Sequence, residues 1–348
     1  MARQCVGCEN NYLDFIAKYH RDNDASLLFL RNHSVLPVEV QCPHCKTQCH
    51  YSKDRHQWIC SAWKSVPKAK RSKQCNFTVS DYKGTFLSGT RFEPYQIVLF
   101  VNHWLSKHWD HQTVIECLHI SERTCVEWHG FCSEITEHCL DNQEPIGGPG
   151  IIVEIDETHF GNPNYERGRL LSQIWLFGGI ERESKKLFLV PLVEPLSRNC
   201  DAETLIPLIK KYILPGSIIV SDGWTAYQTI SEHGYEHQIR NHAEYFVDPE
   251  NPDIHTQNIE RLWRDVKKWS KEVGNRQEFY KQHLARHLFL HKYKTEIVHH
   301  QFFIEAAKLY PPLSDKERQI SIAIPANNNL EDPNDPSDPQ PGPSGGNA

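Results

Sequence analysis

The sequence predicts a mixed α/β domain, a sheet with helices on its faces, preceded by a small cysteine-rich basic module and a helical module. Three observations predict it. A Pro/Gly break at Pro145, Gly147, Gly148, Pro149 and Gly150 is followed by strand-like apolar runs that then alternate with helical ones. Upstream of the break, from Pro94, apolar residues recur at three- and four-residue steps. Earlier still, residues 42–90 are rich in cysteine and lysine, with Trp58, Trp63, Phe77 and Phe86 interspersed, as in a small β-rich module.

Taken in order, residues 1–41 read as a helical lead, with Leu13, Phe15, Ile16, Tyr19 and then Leu27 to Leu30 as its apolar surface. Residues 42–90 form the cysteine module. Residues 91–145 form a helical module: Ile97, Val98, Phe100, Val101, Trp104 and Leu105 mark one helix, Gln112 to Leu118 a second, and Ser121 N-caps a third. The short His119-Ile120 turn fits either a DNA-binding helix-turn-helix or a plain helical linker packed on the core. Residues 150–310 carry strands at Ile151–Ile155, Leu171–Ile180, Leu187–Val193 and Ile218–Val220, and helices at Ala202–Leu214, Thr225–His233 and from Thr256. Residues 325–348, dominated by Pro, Asn, Asp and Gly, cannot bury a core and read as a disordered acidic tail.

Of the 348 residues, 39% are apolar and 24% charged, the composition of a soluble globular protein of two or three domains. No apolar run approaches the ~20 residues of a membrane span, so no membrane partner is expected. The N-terminus lacks the basic stretch and apolar segment of a signal peptide, so a reducing compartment is expected, the nucleus in a eukaryote and otherwise the cytoplasm. There the twelve cysteines read as thiols or metal ligands. The net charge of −6 conceals an asymmetry. Residues 42–75 hold Lys46, Lys53, Arg55, Lys64, Lys68, Lys70, Arg71 and Lys73 against Asp54 alone, while residues 325–348 hold four acids and no base. Local charge is what a polyanion meets.

The chemistry-bearing pattern is a set of carboxylates. Ile151-Ile152-Val153-Glu154-Ile155 is nearly all apolar, as a strand covered on both faces should be, and runs into Asp156. Ile218-Ile219-Val220 ends in Ser221-Asp222-Gly223-Trp224. If the two strands are parallel neighbours, both carboxylates sit at one sheet edge, which is costly for two anions unless a cation lies between them. In the helix from Thr256, Leu262, Val266, Trp269 and Val273 form a core stripe. Glu260, Arg264, Lys267 and Lys271 repeat that spacing two positions earlier, roughly 200° around the helix. One acid and three bases on a second face suit a carboxylate that completes a metal site beside cations that meet phosphates.

These motifs together, Val153 to Thr158, Val220 to Trp224, and His255-Thr256-Gln257-Asn258-Ile259-Glu260 with Trp263 and Lys267, resemble the Merlin superfamily of DDE transposases and its bacterial insertion-sequence relatives. The likeness covers roughly residues 25–300, and Cys42-Pro43-His44-Cys45 and Lys83-Gly84-Thr85-Phe86 fit it. It implies an RNase H-like fold in which Asp156, Asp222 and Glu260 hold two Mg²⁺ (or Mn²⁺) ions for strand cleavage and transfer on DNA, with Lys267 assisting DNA binding. Relatives can vary the third acidic position, so Asn258 is a rival to Glu260; Asn is neutral, a weaker ligand, and falls on the core stripe. Trp224 and Trp263 read as core aromatics before base-stacking platforms. Arg167, Arg169 and His159 are candidate phosphate contacts, or parts of a solvated basic loop.

Cys42-x2-Cys45 followed by Cys60 and Cys75 supplies the four thiolates of a structural zinc site. The second pair is widely spaced; the resemblance implies a zinc ribbon here, with the basic insert Ser61–Gln74 as a loop between ligands. Cys49, His44, His50 and His56 are alternative ligands, and a cluster of plain thiols is the competing account. Cys5-x2-Cys8 is left unassigned. A basic zinc module, with Lys70 and Arg71, beside a possible helix-turn-helix suits double-stranded DNA at terminal inverted repeats and at a target, bound by a homo-oligomer of at least two copies. Three functions compete: an active cut-and-paste transposase, a domesticated DNA-binding protein that keeps the fold without catalysis, and an RNase H-like nuclease that cuts without joining, which the zinc and helical modules disfavour because they imply specific end binding.

Overall fold

The computed structural model describes residue 8 and residues 11–66, 71–106, 110–160, 165–166, 169–170, 174–192, 201–240, 255–273 and 279–312. The expected acidic tail, Lys70 and Arg167 lie outside the described residues, as do the side chains of Arg71, Arg169 and Lys271. The chain divides into two compact units, one made of Met1–Leu36 with Thr90–Pro311, the other built on Pro37–Gly89.

The first unit opens with α1 (Tyr12–Tyr19) and α2 (Asn23–Asn32). Each starts where a side chain can stand in for the missing helical carbonyl: Asn11 accepts from Leu13 N–H, and Asp22 from Ala25 N–H. Phe29 meets both Phe15 and Tyr19 edge to face at their contact.

The second unit is a three-stranded antiparallel sheet of β1 (His50–Ser52), β2 (Gln57–Ile59) and a later strand at Thr78–Ser80, with an inserted hairpin of β3 (Trp63–Val66) and β4 (Arg71–Gln74). The strand at Thr78–Ser80 is β5. Trp58 anchors its core and donates its indole N–H to the fully buried Asp81 at 2.7 Å.

The first unit resumes with α3 (Pro94–Leu105), α4 (His111–Leu118) and α5 (Glu122–Asp141). Pro94 at the first turn with a Glu93/Gln96 capping box starts α3, and Asp110 and Ser121 cap the next two. His119 turns the chain between α4 and α5 in the left-handed conformation. The long α5 buries Cys125, Trp128, Cys132, Ile135 and Leu140 and packs on two later helices. Among the residues α5 leaves exposed are the acids Glu122, Glu127, Glu134 and Asp141, Arg123 already paired to Glu127 at 2.8 Å, and the apolar Val126 and Phe131.

After a short β6 (Ile146–Gly147) come β7 (Ile152–Phe160), β8 (Tyr165–Glu166), β9 (Arg169–Leu170), β10 (Ile174–Glu181), β11 (Leu187–Leu192), α6 (Ala202–Tyr212), β12 (Ile213–Leu214), β13 (Ile218–Asp222), β14 (Glu236–Arg240), α7 (Gln257–Val273), α8 (Tyr280–Lys292) and α9 (Val298–Leu309). The main sheet has the order β11-β10-β7-β13-β14; β10 runs antiparallel to both neighbours, and β13 runs parallel to both of its own. This is the RNase H-like arrangement, as the resemblance implied. The run Thr225–His233 forms two 3₁₀ turns, Thr225–Tyr227 and Ile230–His233, in place of the expected helix. Gly234 in the left-handed conformation closes them before β14 can start. None of the described helices is long and apolar enough to cross a membrane.

Residues alternate across the sheet. Val153, Ile155, Phe177 and Ile219 pack beneath Leu205 and Ile209 of α6, while Leu176, Ile180 and Leu189 pack beneath Ile259, Leu262, Trp263 and Val266 of α7. Glu154 falls on the α7 face, and its carboxylate is completely buried. Its Oε2 accepts from the backbone N–H groups of Asn258 (2.8 Å) and Ile259 (3.2 Å), and its Oε1 from Asn258 Nδ2 (2.7 Å) and Arg182 Nε (3.0 Å). A carboxylate from β7 thus caps α7, satisfying two donors the helix cannot satisfy itself. Arg182 also donates to the carbonyl of His255 at 2.8 Å. Removing one partner of a buried ion pair typically costs about 3–5 kcal/mol. Glu154→Ala is therefore expected to lower unfolding stability by about that much, read by urea titration; a change below about 1 kcal/mol would show that the cap does not hold the helix.

Candidate active site

The register of β13 on β7 pairs Ile218 with Ile152, Ile219 with Val153 and Val220 with Glu154. Carried two residues on, the same register sets Asp222 beside Asp156, both on the face that α7 covers. α7 begins at Gln257 under the Glu154 cap, and this phase turns Glu260 toward the same edge while Ile259 and Trp263 go into the core. All three carboxylates are half-buried. Asp156 feels the charges of both others: burial first, then Asp222 and Glu260, push its carboxyl up to about 6, against the opposing pull of the Trp263 hydrogen bond.

Each acid is held by specific partners. Trp263 donates its indole N–H to Asp156 Oδ2 at 3.0 Å. The ring fits because position 178, opposite Asp156 on β10, is glycine: a Cβ there would lie 2.7 Å from Trp263 Cη2. Asp222 Oδ1 accepts from the N–H of Trp224 at 3.1 Å, which fixes the turn after β13. Glu260 Oε1 accepts from Thr256 Oγ1 at 3.0 Å and from Arg240, a buried arginine at the end of β14, at 2.5 Å. Asn258 is turned away from the trio: its amide donates to Glu154 and its Oδ1 accepts from Lys185 at 2.6 Å.

Trp263 is a core aromatic, as expected, and also a hydrogen-bond donor to the site. Trp224 is not: it is 37% exposed, because it follows Asp222 immediately at the sheet edge. Arg264 and Lys267 are exposed on α7. Lys267 lies near enough to His159 to add to the depression that burial imposes on that imidazole. His159 itself lies against Trp175, ring centroids 3.6 Å apart. Beside the trio, on the opposite face of β7, burial and the charges of Asp156 and Asp222 raise Glu157 to about 9.

The sequence reading did not single out Glu154, Gly178 or Arg240. Glu154 did leave a signal, since an acid inside an otherwise apolar strand covered on both faces must have buried partners. Gly178 and Arg240 left none, because their roles depend on which residue the fold sets opposite.

In the second unit, the Sγ atoms of Cys42, Cys45, Cys60 and Cys75 all lie within 4.8 Å of one another. The first knuckle turns at Lys46 in the left-handed conformation, with Lys46 N–H donating to the Cys42 carbonyl. The wide spacing of the second pair is resolved by β3 and β4: the insert is a hairpin, and Cys75 N–H donates to the Ala62 carbonyl at 2.8 Å, returning Cys75 to Cys60. The hydroxyl and amide of Thr47 pull Cys45 down to about 6, while burial pushes Cys60 up to about 12. Four Sγ atoms gathered this closely fit the tetrahedral thiolate set of a structural zinc ion.

A stability test follows from Asp156. Its pKa in the fold is raised above its unfolded value, so its favourable contribution is present at low pH and lost as pH rises from about 4 through about 6. Without added divalent ions, Asp156→Asn is expected to be more stable than wild type above pH 6, by roughly 1–3 kcal/mol, and no more stable near pH 4. Thermal melts across pH check this; parallel curves for the two proteins would refute it.

No curated protein matches the chain. Among solved structures it is similar to a chain of the simian T-cell lymphotropic virus intasome, seen by cryoEM in complex with PP2A regulatory subunit B56 gamma. That match has 15% identity and a TM-score of 0.27, over 52% of this chain and 68% of that one. Residues 147–295, which hold the main sheet and the three acids, match the ISXO2-like transposase domain, and that segment relates this chain to the insertion-sequence DDE transposases.

Proposed function

We propose that this chain is a DNA transposase, of the Merlin type within that broader group, that cleaves and joins DNA strands at terminal inverted repeats. The observation that carries the reading is the convergence of Asp156, Asp222 and Glu260 at one sheet edge, set by the β7/β13 register and the capped phase of α7. The three acids are the residues that would hold two Mg²⁺ or Mn²⁺ ions, which when bound activate an attacking oxygen and stabilise a leaving one.

The remaining work falls to the chain itself. Trp263 and Gly178 orient Asp156, and the Trp224 turn orients Asp222. Arg264 and Lys267, exposed on α7 beside the acids, offer cations for the phosphates flanking the scissile bond. In the Pro37–Gly89 unit, the β3–β4 hairpin sets Lys64 opposite Lys73 in register and exposes Trp63. Zinc on Cys42, Cys45, Cys60 and Cys75 would fix the base of this hairpin. Bringing two element ends together requires at least two copies of the chain.

The second reading, a domesticated DNA-binding protein without catalysis, is favoured by one observation: Arg240 already neutralises Glu260. Incubation with labelled terminal-repeat DNA and Mg²⁺ or Mn²⁺ separates the two. Cleavage by wild type is expected to fall by at least 100-fold in Asp222→Ala. Equal cleavage by both would refute the site, and binding without cleavage by either would support domestication.

A further inference from the structure

The Cys5-x2-Cys8 spacing has no role in the proposed DNA chemistry, yet the fold gives Cys8 two partners from distant parts of the chain. Cys8 Sγ lies 3.2 Å from His33 Nε2 and 3.5 Å from His300 Nδ1, and the two imidazole nitrogens are 2.8 Å apart. His33 is the residue that ends α2, and His300 sits in α9. From this triangle we propose that Cys8, His33 and His300 bind a second zinc ion, independent of the Cys42–Cys75 cluster and of the acids on the main sheet.

The hydrogen-bond inventory supports it. His33 Nδ1 lies 2.7 Å from the Phe29 carbonyl, an acceptor only, so the proton is on Nδ1 and Nε2 presents a lone pair to the triangle. That single lone pair faces both the thiol of Cys8 and His300 Nδ1, and it can accept properly from one of them. A cation at the centre takes a lone pair from each of the three atoms instead. The Nδ1 contact to a backbone carbonyl is also the outer-shell arrangement that orients metal-bound histidines. With Zn–N near 2.0–2.1 Å and Zn–S near 2.3 Å, the ligand atoms of a tetrahedral site lie about 3.3–3.6 Å apart. Both sulfur–nitrogen separations come within a few tenths of an ångström of this, and the nitrogen pair must open by about half an ångström.

The donor set selects the metal. One thiolate and two imidazoles suit zinc and disfavour Mg²⁺ or Ca²⁺, which take oxygen. Cys8 and His33 are buried, and His300 is partly exposed, which leaves a side for a fourth ligand. Cys5 lies outside the described residues, and the three-residue site does not rest on it. The structural consequence is a cross-link. α1 and α2 have 8 and 10 residues, too short to persist alone. A metal on these three residues ties them to α9, across 267 and 292 residues of sequence.

Metal content of the purified full chain, measured by plasma mass spectrometry, tests the proposal. Wild type is expected to carry two zinc ions, and Cys8→Ser and His300→Ala one fewer each. His300→Cys, which keeps a ligand at the partly exposed position, should retain the wild-type count. A variant with Cys42, Cys45, Cys60 and Cys75 all changed to Ser should still bind Co²⁺ with a thiolate charge-transfer band, and His300→Cys in that background should strengthen the band. Zinc content unchanged by Cys8→Ser, or no thiolate band in the four-serine variant, would overturn the site.

Discussion

The carboxylate of Glu154 carries more of this structure than any other single group. It is buried on the central strand, where an unpartnered charge would cost several kcal/mol, and it recovers that cost by accepting from the first turn of α7 and from Arg182. Because two of its donors are backbone amides, the interaction fixes where the helix begins and therefore its rotation. That rotation sends Ile259, Leu262, Trp263 and Val266 into the core and leaves Glu260 at the edge. One residue of slippage would rotate the helix by about 100° and remove Glu260 from its neighbours. Glu154 sits two positions before Asp156, so the strand that supplies one metal-binding candidate also sets the position of another.

The electrostatics of the edge follow from crowding. Asp156 is raised by burial and by the charges of Asp222 and Glu260, and Glu157 on the reverse side by burial and by the charges of Asp156 and Asp222. Such an arrangement is expensive to fold and is sustained by three devices. Trp263 donates to Asp156, the Trp224 amide to Asp222, and Arg240 pairs with Glu260. The first two are compatible with a metal on the other carboxylate oxygen. The third is a fixed cation on the oxygen that Thr256 also uses, so it lowers the charge the edge can offer to ions without filling both oxygens of Glu260.

Much of this was legible in the sequence because it rests on local rules. Ser121 announces its helix as a cap, and the apolar runs before Asp156 and Asp222 announce central strands. The Cys42-Cys45 knuckle announces half a metal site. What could not be read depends on pairings between distant segments. Cys60 and Cys75 looked too far apart until the hairpin between them closed at Ala62. The stretch Thr225–His233 has a helical pattern but lies between a strand end and Gly234, with room only for 3₁₀ turns. Gly178 is unremarkable until Trp263 is placed over it, and Cys8 until His33 and His300 arrive from elsewhere. Asn258 and Glu260, two residues apart, are separable in sequence by charge and by helix phase, and the phase is set by Glu154.

The helical module bears on how a chain of net charge −6 can meet DNA. The spacing of α4 and α5 fits a helix-turn-helix, but spacing does not specify what the exposed face carries. On α5 that face presents Glu122, Glu127 and Glu134, and its cation Arg123 is engaged by Glu127. A helix so charged would approach a major groove against the repulsion of phosphates on both sides, whereas its buried stripe is well used against α8 and α9. The positive charge this sequence holds lies elsewhere: residues 61–74 carry five bases and no acid, and α7 carries five bases beside Glu260, Asp265 and Glu272. Each starts from a defined base, the four-cysteine cluster for residues 61–74 and the Glu154 cap for α7.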